Sequence, residues 1–149
     1  MKKLIFLCFF CLFISGCGNK EIYPLSEKYY QGDSLITIDN HTLKDLENAK
    51  SSFAVFVYMP NCLTSASFRE VVESFLAEEE ISFYQIAGTI IDDTKLNETL
   101  KYYPSVAIYQ EGKIIAYLRA DSNDDKSYYE SVEGFREWFT KYISLNKEI

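Results

Sequence analysis

Histidine is almost absent from this chain: His41 is the only one, and no set of cysteines and histidines has metal-ligand spacing, which excludes a structural zinc site. His41 stands near a helix start, far along the chain from Cys62, so nothing in the sequence pairs the two as nucleophile and base. Basic residues are also short, with 15 Lys and Arg against 22 Asp and Glu, a net charge of −7 and no basic patch. That balance argues against a nucleic-acid partner. Asp121, Asp124 and Asp125 lack the spacing of an EF-hand loop and read as a solvated turn rather than a calcium site. No metal and no other cofactor is expected, and there is no internal repeat. What the chain does have is apolar residues, 48% of the total, with 12 Tyr and 11 Phe. In 149 residues that is enough for one domain with a proper core.

The first residues, MKKLIFLCFFCLFISGCGN, put Lys2 and Lys3 before an uncharged apolar run from Leu4 to Ile14, then small residues. The run is short for a membrane span and reads as a secretory signal peptide. Its ending, Ile14-Ser15-Gly16-Cys17, resembles the bacterial lipobox, which implies a signal peptide over 1–16 and a lipid on Cys17 as the mature first residue. An ordinary signal or a short anchor helix with a chance cysteine is the other reading. The lipoprotein reading places the protein on the extracytoplasmic face of a bacterial membrane, held through that lipid. Loss of 1–16 removes Lys2, Lys3, Cys8 and Cys11, leaving 13 basic and 22 acidic residues, net −9. With Cys17 lipidated, Cys62 is the only free thiol, and no intrachain disulfide can form.

Residues 17–34 are polar, with a Pro and Gly and no clear period, and read as a flexible tether. Elements then alternate over 35–146. LITI (35–38) is a short strand, and Asp39 or Asn40 caps a first helix. SFAVFVYM (52–59) has the continuous apolar and β-branched character of a strand buried on both faces. In 63–80, Phe68, Val71, Val72, Phe75 and Leu76 share one helical face, and Glu78 to Glu80 close it as a solvated acidic end. ISFYQIA (81–87) is the next strand, and Asp92 and Asp93 are expected to cap a helix through about Tyr102. SVAIYQEGKIIAYL (105–118) is a hairpin turning at Gln110-Glu111-Gly112, with the glycine at positive φ. A closing helix aligns Val132, Phe135, Trp138, Phe139 and Tyr142. The motifs NHT and NET match the glycosylation pattern, but both sit at helix starts, where capping explains them. The order predicts an α/β fold: a mixed central sheet, parallel where helices join the strands, with helices on both faces.

Cys62, in YMPNCLTSASF, falls between a buried strand and the first turn of a helix. Unpaired backbone N–H groups there favour a thiolate and lower its pKa below the free value of about 8.5. Pro60 and Asn61 suit a turn that lifts the cysteine into view. The alternative is a small buried hydrophobe, the usual state of a free cysteine. Pro104, after Tyr102 and Tyr103, enters the hairpin strand, either through a cis bond that leaves neighbouring backbone able to pair with an extended ligand or as a plain edge proline.

A cysteine at a strand-to-helix turn, a proline some forty residues on before a hairpin, and a closing helix resemble the thioredoxin-like superfamily over about 35–146. Within it, FVYMPNCLTSASF with YYPSVAIYQEGKIIAYL is most similar to the bacteriocin transport accessory proteins of Gram-positive bacteria. The resemblance implies a three-layer sandwich, Cys62 as attacking cysteine, Ser65 in the place of the resolving cysteine, and Pro104 as the cis-proline facing the sulfur. Tyr58, Asn61 and Tyr103 would flank the site as a substrate groove. The chain departs from the pattern at Ser65, at Asn61, where an aromatic residue is common, and at Phe56, where thioredoxin has a buried carboxylate. Without a second thiol, a mixed disulfide lasts until an outside thiol attacks it. Two functions follow. One is monothiol exchange on secreted polypeptides or a thiol-bearing partner protein; the other is a redox-inactive binding or accessory protein, for instance in bacteriocin or peptide export.

Overall fold

A computed structural model describes residues 22–145; the predicted signal peptide, Cys17 and the first part of the expected tether lie outside the described residues. Seven strands and five α-helices follow in order: β1 (Tyr23–Pro24), β2 (Leu35–Thr37), α1 (Asn40–Asn48), β3 (Phe53–Tyr58), α2 (Leu63–Glu79), β4 (Phe83–Ala87), α3 (Lys95–Thr99), β5 (Ser105–Gln110), β6 (Lys113–Tyr117), α4 (Ser127–Glu130), α5 (Val132–Phe139) and β7 (Ile143–Ser144). The main sheet has the order β2-β4-β3-β5-β6. β2 and β3 pair with β4 in parallel, and β5 runs antiparallel to both β3 and β6. The sheet is mixed, as the connections predict.

Alternation along β3 sends its side chains to two separate layers. Phe56 points to the face covered by α2, where it meets Phe68 edge-on at 5.9 Å, and Phe83 of β4 stacks on Phe139 of α5 at 6.0 Å. Phe53 points the other way, onto Tyr109, whose hydroxyl donates to Glu47 of α1 at 2.6 Å. Helices therefore cover both faces, and Phe53 through Val57 are all buried. Each Val and Phe among them contributes roughly 1.5–3 kcal/mol by leaving water.

Residues 23–34 are not a tether. β1 pairs with β7, a 3₁₀ turn spans Glu27–Tyr30, and Leu25 and Tyr29 enter the core. Tyr29 is 2% exposed, packs edge-on against Tyr84, and donates its hydroxyl to the Ser52 carbonyl. Two apolar side chains and backbone pairing hold this segment to the sheet face beside α1, and its polar composition hid them.

Other boundaries differ for local reasons. Asp39 caps α1 by accepting from the Thr42 N–H, while Asn40 donates to the Asp92 carbonyl. Asp92 and Asp93 do not start α3: Asp93 takes φ 57°, so the helix begins only after Thr94, which accepts from Asn97 N–H. It ends at Thr99 because Leu100 is extended. Between β5 and β6 both Glu111 and Gly112 have positive φ. A Cβ on Gly112 would stand 2.5 Å from the Glu47 carbonyl, so glycine is required there by contact as well as by φ. The acidic end of α2 is paired rather than merely solvated: Arg136 of α5 donates to Glu79 at 2.8 Å and to Glu78 at 2.6 Å.

Candidate functional site

β3 ends at Tyr58, and the chain turns through Pro60 and Asn61 before α2 begins. Asn61 takes φ 59°, a left-handed conformation that asparagine tolerates better than most residues, and this reverses the chain so that Cys62 becomes the N-cap of α2. Cys62 is partly exposed, not sealed in the core. Its Sγ lies 3.0 Å from the Thr64 hydroxyl. No backbone N–H meets the sulfur with full hydrogen-bond geometry, yet the first-turn amides lie close enough to favour an anion. The Thr64 hydroxyl, then the backbone and hydroxyl of Ser65, lower the Cys62 pKa to about 7. At neutral pH about half the thiol is therefore the nucleophilic form.

Ser65 is buried, and its hydroxyl accepts the Met59 N–H at 3.1 Å. That bond ties the first turn of α2 to the end of β3. Phe56 is fully buried, and the Arg69 guanidinium lies over both its ring and the Tyr58 ring, at 5.2 and 4.6 Å. No carboxylate takes the place of Phe56 beneath the site.

Pro104 follows Tyr103 through a cis peptide bond at the start of β5. It lines a groove of about 520 Å³ together with Tyr103, Leu63 and Thr64, so Thr64 touches the sulfur and the proline groove at once. Tyr58 and Asn61 line a different hollow, on the Arg69 side of the Cys62 turn. The expected groove of Tyr58, Asn61 and Tyr103 is thus two hollows: Cys62 itself lines the one with Tyr58 and Asn61, and Thr64 separates it from the one with Tyr103. Besides lining the Pro104 groove, Tyr103 lies close to Gly88, where an added Cβ would meet its ring at 3.2 Å.

Among the described residues no group of three or more His, Cys, Asp or Glu is placed to hold a metal. His41 pairs with Asp45 on α1, and Asp124 and Asp125 turn onto Arg119. Sequence reasoning missed Thr64 and Tyr129, whose hydroxyl donates to the Pro104 carbonyl at 3.0 Å. Only Thr64 left a signal, a hydroxyl residue inside the first turn after the cysteine.

A parallel-then-antiparallel sheet, a cysteine capping the helix after the central strand, and a cis-proline opening the next strand decide the architecture. The chain has the thioredoxin fold. Solved structures agree: a mutant thioredoxin from Halobacterium salinarum NRC-1 is 14% identical, with a TM-score of 0.52 over 74% of this chain and 94% of its own. Thioredoxin from Trypanosoma brucei brucei is 9% identical, with a TM-score of 0.52 over 76% and 96%. The Schistosoma mansoni thioredoxin pre-protein is 13% identical, with a TM-score of 0.51 over 74% and 96%. No protein-family model and no curated protein sequence matches the chain. On this thioredoxin fold the arrangement can hold a thiolate and present it beside a groove. It cannot close a disulfide within the turn.

One consequence is measurable at the thiol. Thr64→Val removes the leading donor to Sγ, so the pH midpoint of Cys62 alkylation is expected to rise from about 7 toward the ordinary thiol range. An unchanged midpoint, measured as the alkylation lost in Cys62→Ala, would show that the hydroxyl does not stabilise the thiolate.

Proposed function

We propose that this protein is a membrane-anchored, extracytoplasmic monothiol exchanger that handles secreted polypeptides through mixed disulfides at Cys62. The observation that carries the reading is the partly exposed Cys62 sulfur at the start of α2, bonded to Thr64 and with its pKa lowered to about 7. The Cys62 thiolate attacks one sulfur of a substrate disulfide. A Cys62–substrate disulfide forms and the other substrate sulfur leaves as thiolate. A second thiolate then attacks the substrate sulfur of that mixed disulfide and releases Cys62. If it comes from the same substrate, the disulfide is reshuffled with no net electron transfer. If it comes from a separate thiol, the substrate is left joined to that thiol. In this reading Ser65 and Pro104 shape the site, a lipid on Cys17 holds the protein at the membrane, and peptide export of the bacteriocin kind is the setting.

A second reading, an accessory protein that binds polypeptides without exchange, draws on Ser65, whose buried hydroxyl has a structural partner in Met59. Trapping in cells separates the two. After rapid acid quenching, non-reducing separation is expected to show adducts that vanish in Cys62→Ala and persist in Ser65→Ala. Adducts equally abundant in Cys62→Ala, or none in the unaltered protein, would leave only the binding reading.

A further inference from the structure

The chain enters the fold at the end of the sheet opposite the thiol. β1 sits against β7, with the Tyr23 N–H donating to the Tyr142 carbonyl at 3.0 Å and the Leu25 N–H to the Ser144 carbonyl at 3.3 Å. Residues 23–26 share a small hollow with Ser52, Phe53, Tyr109 and Gln110. Ser52 and Phe53 stand at the start of β3, and Tyr109 and Gln110 at the end of the antiparallel β5, so all four mark one pole of the sheet. The Tyr29 hydroxyl, donating to the Ser52 carbonyl, ties the following 3₁₀ turn to the same pole. Cys62 lies beyond Tyr58, the last residue of β3, at the other pole. Steps of about 3.3 Å from Phe53 to Tyr58 put about 17 Å between the two.

In the reading above Cys17 carries the lipid, so bilayer and fold are joined only by the six steps from residue 17 to residue 23. Six steps reach about 21 Å when fully drawn out, and a free coil of that length averages about 13 Å. That average falls short of the ~17 Å spanned by β3. Bringing Cys62 to the lipid would therefore invert the domain on a nearly straight tether. A tether over 17–34, the extent its composition suggests, would average about 23 Å and let the thiol face either way. The docking of β1 removes that freedom. Charge does not choose the orientation, because Lys113 at this pole is offset by Glu111 in the same turn. We propose that the β1 pole is held against the bilayer and that Cys62 faces away from it, toward polypeptides in the surrounding water rather than segments lying on the lipid. The inference rests on the membrane-anchored reading and adds to it which polypeptides the thiol can meet.

The test uses the full lipoprotein, purified from membranes and returned to phosphatidylcholine vesicles with an energy-transfer acceptor on a fraction of the headgroups. One protein carries the donor dye on Cys62. The other carries it at position 113, as Lys113→Cys in a Cys62→Ala background, since Lys113 is exposed and pairs with Gln110 at the β1 pole. Transfer is expected to be about twofold or more stronger from position 113, because it falls steeply over the ~17 Å between the poles. Inserting about twelve Gly and Ser residues between Asn19 and Lys20 raises the average reach to about 23 Å and should bring the ratio close to one. Equal transfer from the two sites, stronger transfer from Cys62, or a ratio that the insertion does not move would overturn the orientation while leaving anchoring and thiol exchange standing. Dye taken up by Cys62→Ala alone, or protein that stays out of the vesicles, would remove the anchored reading and the inference together.

Discussion

Incubated with oxidised glutathione, the Ser65→Cys protein is expected to lose two hydrogens and both of the thiols at positions 62 and 65, while the unaltered protein only gains a glutathione. Position 65 lies in the first turn of α2, three residues from the N-cap and on the side that faces it. Residues three apart in a helix bring their Cβ atoms to about 5–6 Å, and a small shift of the N-cap reaches the roughly 3.5–4.5 Å between Cβ atoms that a disulfide accepts. The backbone and hydroxyl of Ser65 also contribute to lowering the Cys62 pKa, as a residue near the sulfur does. The kinetic consequence is large. An intramolecular thiol acts at an effective concentration far above any free thiol, so the mixed disulfide formed by Ser65→Cys should be resolved at least a hundredfold faster. The substitution has a structural cost, because the half-buried Met59 N–H loses its partner at 3.1 Å, at most about 1–3 kcal/mol. Reduced Ser65→Cys should therefore unfold at lower urea than the unaltered protein. Intact mass after oxidation decides the matter: two free thiols at 62 and 65 would mean that the turn does not have the geometry described.

How far the sequence carried depends on which residues could speak alone. Phe53 to Tyr58 announced a central strand because burial on both faces leaves an unbroken apolar run, and the spacing from Phe68 to Leu76 announced α2 because one face is apolar. Cys62 and Pro104 were legible for a related reason, each standing at the junction between two such patterns. The features that escaped depend on partners distant in sequence. Tyr29 looked like part of a polar tether until Tyr84 and Ser52, more than 20 residues away, were seen against it. Glu78 and Glu79 looked solvated because Arg136 is on another helix. Asp93 failed as a cap because its backbone is left-handed, a property of the turn before α3 rather than of the residue type. The groove divided in two for the same reason. Tyr58 and Tyr103 both end near the cysteine, but only the packing of α4 puts Tyr129 and Pro104 on one side of it and Arg69 on the other.

The same long-range packing predicts how the fold fails in base. Tyr29, Tyr109 and Tyr129 all have phenol pKa values pushed above the ordinary value of 10, chiefly by burial. Tyr84 adds to the effect at Tyr29, the Glu47 carboxylate at Tyr109, and Asp125 with Asp121 at Tyr129. A raised pKa means the folded state keeps these protons when the unfolded chain would release them. Their stabilisation is therefore complete below pH 10 and declines as pH rises through and beyond it. Each such group removes about 1.4 kcal/mol per pH unit above 10, so three remove up to about 4 kcal/mol per unit. Against a total stability of about 5–15 kcal/mol, the domain should unfold cooperatively within a few units. Urea midpoints followed by tryptophan fluorescence at Trp138 are expected to stay level from pH 8 to about 9.5 and then fall steeply. Tyr109→Phe separates this from general charge repulsion. It lowers stability at pH 8, because Glu47 loses the 2.6 Å bond, yet makes the alkaline slope shallower by about a third because one titrating phenol is gone. An alkaline slope identical in the two proteins would show that the buried phenols are not what the fold loses.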